Sequence, residues 1–136
     1  MLNFRHPTQE TMAPPEKSLY ERLGGYDMIA AFMTEHSNRV RSDPQFARFS
    51  AGRGSDKKKR DLQLTIDYMC KIAGGSNFYM GRDMKTSHAG LGITDAEWTA
   101  NMRHMSEALE KYKIPRREKD EFLALVERTR KEIVET

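Results

Sequence analysis

Apolar residues recur every three or four positions along most of the chain, the spacing of one face of an α-helix. In the first long segment, residues 26–41, this stripe consists of Met28, Ile29, Phe32, Met33, His36 and Val40. In the next, residues 57–73, it consists of Leu62, Thr65, Ile66, Met69 and Ile72. No segment alternates between apolar and polar residues for long enough to indicate a strand. The pattern therefore predicts an all-α fold.

Polar capping residues and glycines mark where the predicted helices begin and end. Ser18 can cap a short helix that Gly24-Gly25 would stop. Asp43 can cap a single turn with Pro44 at its first position. In the same way Asp83 can cap a short helix that ends before Gly90 and Gly92. Two short helices and a single turn are therefore expected beside the long ones.

The C-terminal third of the chain contains two further predicted helices. Thr94 and Glu97 have the spacing of a capping box, and Ile93 and Trp98 that of a hydrophobic staple. The stripe of this helix consists of Trp98, Met102, Met105, Leu109 and Tyr112, and His104 lies off it, so we expect His104 in solvent. Pro115 should end the helix. The last helix is expected to bury Phe122, Leu125, Val126, Thr129 and Ile133.

Length and composition limit the domain organisation and the partners. We predict one domain over residues 17–136 behind a flexible extension, residues 1–16, which contains three prolines and has no helical period. The net charge of +3 does not indicate a nucleic-acid partner, because the basic run 57–60 has no interleaved aromatic residues for stacking. There is no signal-peptide pattern and no apolar run long enough for a membrane, which favours the cytoplasm.

The clearest candidate chemistry lies in residues 74–93. His88 follows Met84 by four residues on one face of the short helix predicted after Asp83. An imidazole with apolar neighbours suits a haem iron, which needs one firm axial ligand. The other ring nitrogen should then donate a hydrogen bond to a backbone carbonyl. A histidine near a helix end is also often a cap or a core residue, so the position alone leaves both interpretations open.

Four short motifs occur in a distinctive order. They are Leu19-Tyr20-Glu21-Arg22-Leu23-Gly24-Gly25, Asp43-Pro44, Gly74-Gly75 through Tyr79-Met80-Gly81, and Met84-Lys85 with His88. Together they resemble the truncated haemoglobins, which are two-over-two helical globins, and most closely their first group. The resemblance implies haem b held by His88, and reversible binding of dioxygen, nitric oxide or carbon monoxide. It also implies reaction with nitric oxide to give nitrate, an enzymatic activity only where a reductase supplies electrons. We expect a monomer or weak dimer.

The resemblance also implies which side chains would surround the haem. The pocket would consist of Phe32, Met33, Phe49, Tyr68, Met69, Phe78, Met84, Ile93, Trp98, Met102 and Met105. The propionates would meet Arg60, Tyr79, Arg82 and Lys85, whereas residues 57–59 are expected to stay in water.

The opposite, distal side of the pocket departs from the family pattern. Ser37 stands where many first-group members have a tyrosine. In the helix predicted over residues 57–73, the family's fourth, the distal positions are occupied by Asp61, Leu64 and Thr65, where a glutamine is usual. The hydroxyls of Ser37 and Thr65, and His36, remain as hydrogen-bond donors. Thr65 could instead bond to its own helix, and His36 could be a core histidine.

Two other functions remain open from the sequence. If His36 were a second iron ligand, the protein would be a haem-based sensor or electron carrier. A haem-free helical interaction module is the third interpretation, since a plain bundle would share the same helical periodicity.

Overall fold

The computed structural model describes residues 16–76 and 79–136 of the chain. The helices in these ranges are α1 (Leu19–Leu23), α2 (Gly25–Ser42), α3 (Ala47–Ser50), α4 (Ser55–Ile72), α5 (Met84–His88), α6 (Asp95–Lys111), α7 (Arg116–Glu127) and α8 (Arg130–Ile133). A 3₁₀ turn, Pro44–Phe46, precedes α3. These residues form no strand, which confirms the predicted all-α class. Most of the predicted extension, and Phe78, lie outside the described residues and stay predictions.

The predicted caps are all confirmed. The hydroxyl of Ser18 accepts the backbone N–H of Glu21 at 3.2 Å, and Asp83 Oδ1 accepts that of Thr86 at 2.7 Å. Asp43 Oδ1 accepts the N–H of Gln45 at 2.9 Å. The capping box of α6 is complete, because Glu97 accepts the N–H of Thr94 while Thr94 accepts that of Glu97. Such caps satisfy backbone groups that the helix leaves free, so each fixes the residue at which a helix begins.

The glycine pair after α4 ties α1 to the end of that helix. Gly74 has φ of +98°, a conformation that favours glycine, and the N–H of Gly75 donates to the carbonyl of Cys70 at 2.8 Å. A Cβ on Gly75 would lie only 2.8 Å from the Tyr20 ring and 2.9 Å from the Cys70 carbonyl. The N–H of Tyr20 then donates to the carbonyl of Ala73 at 2.8 Å. Gly75 therefore allows the close approach on which α1 depends.

Helix α2 lies at the centre of the fold and packs against both α4 and α6. Ile29, Phe32 and Met33 of α2 are fully buried. The Phe32 ring meets that of Phe122 on α7 edge to face, with 5.3 Å between centroids. Burial of each such side chain contributes about 1.5–3 kcal/mol to folding. The apolar stripe predicted for α2 is therefore the core of the protein.

The prediction of a single last helix is wrong, because the structure divides this segment into two helices. Helix α7 ends at Glu127, and α8 begins at Arg130. Between them the backbone N–H and the hydroxyl of Thr129 both donate to the carbonyl of Val126, at 3.0 and 2.7 Å. The three-residue spacing of these bonds replaces the four-residue spacing of an α-helix, because the threonine hydroxyl competes for the backbone.

The expected exposure of His104 is also wrong. Only 9% of the residue is exposed, and its Nε2 lies 2.8 Å from Asp43 Oδ2. The 3₁₀ turn that Asp43 caps supplies Phe46, whose ring lies 6.1 Å from the His104 ring between centroids. The periodicity of α6 identifies only the face that packs on the core. The 3₁₀ turn covers a second face of α6, the one that carries His104.

No helix in residues 16–76 and 79–136 combines the length and the apolar character that crossing a bilayer requires.

Candidate functional site

Helix α5 presents His88 with one ring nitrogen already engaged. His88 Nδ1 lies 2.8 Å from the carbonyl oxygen of Met84, and also 2.8 Å from Ser87 Oγ. A carbonyl oxygen only accepts hydrogen bonds, so Nδ1 carries the proton and Nε2 keeps its lone pair. Within the described residues Nε2 has no hydrogen-bond partner. The expected bond to a backbone carbonyl is confirmed, and it leaves an imidazole able to bind a metal.

The loop after His88 is held by side chains from two other parts of the fold. The N–H groups of Gly90 and Gly92 donate to Glu135 at 3.0 and 2.7 Å. On α3, Arg48 Nη2 donates to the carbonyls of Leu91 and Gly92, both at 3.1 Å. The two N–H donors lower the pKa of the Glu135 carboxyl below its usual range, because they stabilise the anion. Side chains from other parts of the fold thus bind both the backbone N–H groups and the backbone carbonyls of this loop.

A cavity of about 210 Å³ lies between α2, α3 and α4. We call it the distal cavity; it is lined by Met33, His36, Ser37, Val40, Arg41, Phe49, Ser50, Arg53, Lys58, Asp61, Leu62 and Thr65. The structure therefore brings together all the predicted distal residues except Leu64, which does not line it. Phe49 and Met33, predicted for the pocket wall, lie here as well.

His36 makes a hydrogen bond that directs it into the contact between α2 and α6. Its Nε2 lies 2.8 Å from Oδ1 of Asn101 on α6. Burial lowers the pKa of His36 to about 4; the bond to Asn101 opposes this shift in part, and nearby His104 contributes to it. The imidazole is therefore neutral at pH 7. The bond to Asn101 agrees with the interpretation of His36 as a histidine bonded to a neighbour, and its role toward a haem ligand stays a prediction.

Thr65 and Asp61 are engaged within the protein. The Thr65 hydroxyl donates to the carbonyl of Asp61 at 2.9 Å, which confirms the helix-backbone interpretation of Thr65. The Asp61 carboxylate forms an ion pair with the guanidinium of Arg53 from the loop before α4. Sequence reasoning missed Arg53 because the glycine-containing loop has no periodicity. The only signal was an isolated cation in that loop, eight residues before a distal position.

A second cavity, of about 310 Å³, lies beside α5. Its lining includes Tyr68, Tyr79 and Met84, all predicted around the haem, together with Lys71, Gly81, Asp83 and Glu132. The rings of Tyr68 and Tyr79 meet edge to face at 5.3 Å between centroids. The Tyr79 hydroxyl donates to the backbone carbonyl of Arg82 at 2.6 Å, and a Cβ on Gly81 would collide with that hydroxyl.

One face of α4 borders both cavities. Asp61 and Thr65 line the distal cavity, and Tyr68, one turn further along, lines the second. Spacings of four and three residues place these side chains on the same face of the helix. Tyr68 of α4 and Met84 of α5 both line the second cavity. They therefore connect the helix that borders the distal cavity with the helix that carries His88.

The remaining predicted pocket residues within the described ranges line neither cavity. Phe32 and Met105 are fully buried in the core, and Trp98 donates its Nε1–H to Glu127 at 2.9 Å. Three more are partly buried against the core, namely Met69, Ile93 and Met102. Three of the expected propionate partners are exposed, namely Arg60, Arg82 and Lys85. None of these three pairs with a carboxylate in the described part of the chain, and their roles stay predictions.

The sequence was compared with known families, and residues 18–135 match the family model of the bacterial-like globins. The chain belongs to the bacterial-like globin family. A curated relative, the group 1 truncated haemoglobin LI410 of Chlamydomonas moewusii, is 29% identical to this globin over 132 residues, which cover 93% of this chain and 75% of that protein.

Solved structures agree with the family assignment. The truncated haemoglobin of Tetrahymena pyriformis in its Fe(III) form matches this globin with a TM-score of 0.80 at 22% identity, over 88% of this chain and 100% of that one. The 2/2 haemoglobin of Synechococcus, solved in the cyanomet state with covalently attached haem, matches with a TM-score of 0.78 at 23% identity. The match covers 87% of this chain and 98% of that one. The predicted two-over-two globin fold is confirmed.

The cofactor of globins is haem, and the residues of this globin fit it. The Met84 carbonyl fixes the tautomer of the His88 imidazole, and its Nε2 is left unengaged. Helix α4 borders both cavities, and the apolar side chains of the distal one include Met33, Phe49 and Leu62. His88 itself lines neither cavity, but Met84, one turn before it on α5, borders the second one. An unengaged imidazole nitrogen is the axial ligand that an iron porphyrin needs.

Proposed function

We propose that this globin binds haem b through Nε2 of His88 and reversibly binds a diatomic gas such as dioxygen, nitric oxide or carbon monoxide. The hydrogen bond of 2.8 Å from His88 Nδ1 to the Met84 carbonyl supports the proposal most directly. When bound through a single histidine, haem supplies an iron with one coordination position left for a gas. Membership of the globin family supports the same function.

The residues around His88 would orient it rather than react. The Met84 carbonyl fixes the ring tautomer and makes Nε2 more basic, as partners of a metal-binding histidine do. Glu135 and Arg48 hold the loop that follows, so the end of α5 has little freedom to turn. The imidazole is thus pre-positioned before any ligand arrives.

The distal cavity would receive the gas. Met33, Phe49 and Leu62 would provide the apolar part of its wall. Of the predicted donors, Thr65 and His36 already have partners, whereas the hydroxyl of Ser37 has none among the described residues. Ser37 is therefore the predicted distal donor with the most freedom.

The alternative in which His36 is a second iron ligand has less support. Coordination through Nε2 would break the bond to Asn101 and move the ring out of the contact between α2 and α6. The family assignment also favours a haem protein over a haem-free interaction module. The conversion of nitric oxide to nitrate, a reductase partner and a monomeric or weakly dimeric state stay predictions.

Haem content and optical spectra test the proposed function. Expressed with haem supply, the wild-type chain should show a Soret band, and His88→Ala should lose haem or change its axial ligation. His36→Leu is the matched control, because it removes an imidazole whose Nε2 is already bonded to Asn101, and it should keep the Soret band. Unchanged ligation in His88→Ala, or a low-spin ferric wild type that becomes high-spin in His36→Leu, would contradict the proposal.

A further inference from the structure

The distal cavity has an excess of positive charge that a neutral gas does not need. Three cations, Arg41, Arg53 and Lys58, line it, and Asp61 is the only carboxylate among its lining residues. The lining is therefore suited to a ligand of negative charge.

Hydrogen-bond donors also outnumber free acceptors in this cavity. Arginine and lysine side chains only donate, and the one carboxylate is already paired with Arg53. The hydroxyls of Ser37 and Ser50 have no partner within the described part of the chain, so both are free to donate. A ligand that only accepts hydrogen bonds, such as an oxyanion, would match this inventory.

A run of cations at the start of α4 strengthens the positive field. Residues 57–60 are all cationic and lie within the first six residues of the helix, where the helix dipole is already positive. None of the four pairs with a carboxylate of the described residues. Lys58 lines the cavity, whereas Lys57, Lys59 and Arg60 are exposed near it in the chain. Such an arrangement opposes helix stability and creates a positive potential that attracts anions to this end of α4.

Arg53 is the cation best placed to bind an anion directly. Its side chain is 36% exposed, and that of its partner Asp61 is 41% exposed. Ion pairs this close to solvent are weak, so an incoming anion can replace Asp61 at modest cost. The guanidinium then offers two parallel N–H donors, a geometry that matches the two oxygens of an oxyanion.

We infer that the distal cavity is a binding site for a small inorganic oxyanion of the size of nitrite or nitrate, held by the guanidinium of Arg53 and the ammonium of Lys58. The inference rests on the proposed function only for placing the anion next to the iron, since the charges belong to the chain itself. Asp61 competes with the anion for Arg53 and so limits its affinity.

Nitrite titration of the ferric holoprotein tests the inference, at constant ionic strength and with the absorption spectrum as the measure of binding. Arg53→Ala should weaken nitrite binding about tenfold, because it removes a charge-assisted hydrogen bond. Asp61→Asn should strengthen it severalfold by releasing Arg53. Arg116→Ala is the matched control, since it removes one arginine charge from a residue that is exposed on α7 and does not line the cavity. Carbon monoxide binding to the ferrous protein should be nearly the same in the wild type and in Arg116→Ala, which shows that the control leaves the gas site intact.

Two further measurements separate the inference from its alternatives. Equal nitrite affinity in Arg53→Ala and Arg116→Ala would overturn it. If Arg53→Ala accelerates haem loss without weakening nitrite binding, the cations serve the haem propionates and the inference is again wrong. Should the chain show no Soret band, the proposed function fails, but the inference still predicts that sodium nitrate raises the unfolding temperature of the wild type more than that of Arg53→Ala.

Discussion

The carboxylate of Glu135 lies 2.7 Å from the backbone nitrogen of Gly92 and also accepts the N–H of Gly90, so a residue near the C-terminus holds the loop after His88. The backbone of Glu135 adds a further contact, because its N–H donates to the carbonyl of Ile93 at 2.9 Å. The position of His88 therefore depends on the end of the chain as well as on its own helix.

Replacing Glu135 should weaken haem retention. Glu135→Ala leaves two loop N–H groups without their acceptor, so the loop gains freedom and the haem should dissociate severalfold faster. Transfer of haem to an excess of apomyoglobin measures this rate. Asp120→Ala is the control, because it removes an exposed carboxylate of α7 that lines neither cavity and makes no hydrogen bond to the loop. Equal rates in the two variants would show that the loop does not need Glu135.

Arg48 should contribute to global stability through Glu97. Arg48 Nη1 lies 2.6 Å from the Glu97 carboxylate, whose side chain is only 7% exposed. Arg48→Met keeps the aliphatic stem but leaves this carboxylate without a cation, at a cost of about 1–3 kcal/mol. Urea unfolding measures the free energy, with Arg116→Met as the control. Equal unfolding free energies in the two variants would mean that Arg48 is only a surface charge.

His36 should make the stability fall as the pH decreases from about 6.5 to about 4. In the folded protein burial lowers its pKa to about 4, so in this window the unfolded chain takes up a proton that the folded one does not. The loss is on the order of 2–3 kcal/mol at the acidic end and is absent above pH 7. Urea unfolding at several pH values measures it. His36→Gln should flatten the curve across this window, and an unchanged slope would contradict the neutral, buried imidazole.

Bound dioxygen should leave this globin faster than it leaves first-group members that keep the distal tyrosine and glutamine. Ser37→Tyr supplies a phenol next to the cavity of about 210 Å³, and one added hydrogen bond of about 1–3 kcal/mol should slow dissociation roughly five- to hundredfold. Stopped-flow measurement of the dissociation rate tests this. Ser37→Phe is the matched control with the same ring and no hydroxyl. If it slows release as much as Ser37→Tyr, the effect is steric.

The sequence was sufficient for features that depend on neighbouring residues. The caps by Ser18, Asp43, Asp83 and Thr94 involve backbone groups two or three positions away, and the bond between His88 and Met84 spans one helical turn. Local chemistry of this kind does not depend on how the helices pack. The short α5 was predictable for the same reason.

Contacts between distant parts of the chain were not predictable in the same way. Asp43, at the start of a 3₁₀ turn, meets His104, and Glu135 meets residues of the loop after His88 that lie 43 and 45 positions earlier in the chain. Helical periodicity identifies one inward face, whereas these contacts depend on which loop covers the other faces. The pair of Arg53 and Asp61 was missed although only eight residues separate them, because the glycine-containing loop has no preferred direction before it packs.

The close approach at Gly75 also constrains the order in which the chain can fold. A helix of five residues such as α1 is not stable alone in water. Its Tyr20 is held by the carbonyl of Ala73 and by the space that Gly75 leaves open, both more than fifty residues further along the chain. During synthesis the chain emerges from its N-terminus, so α1 must wait until the whole of α4 has appeared. The beginning of this globin is therefore completed after its middle.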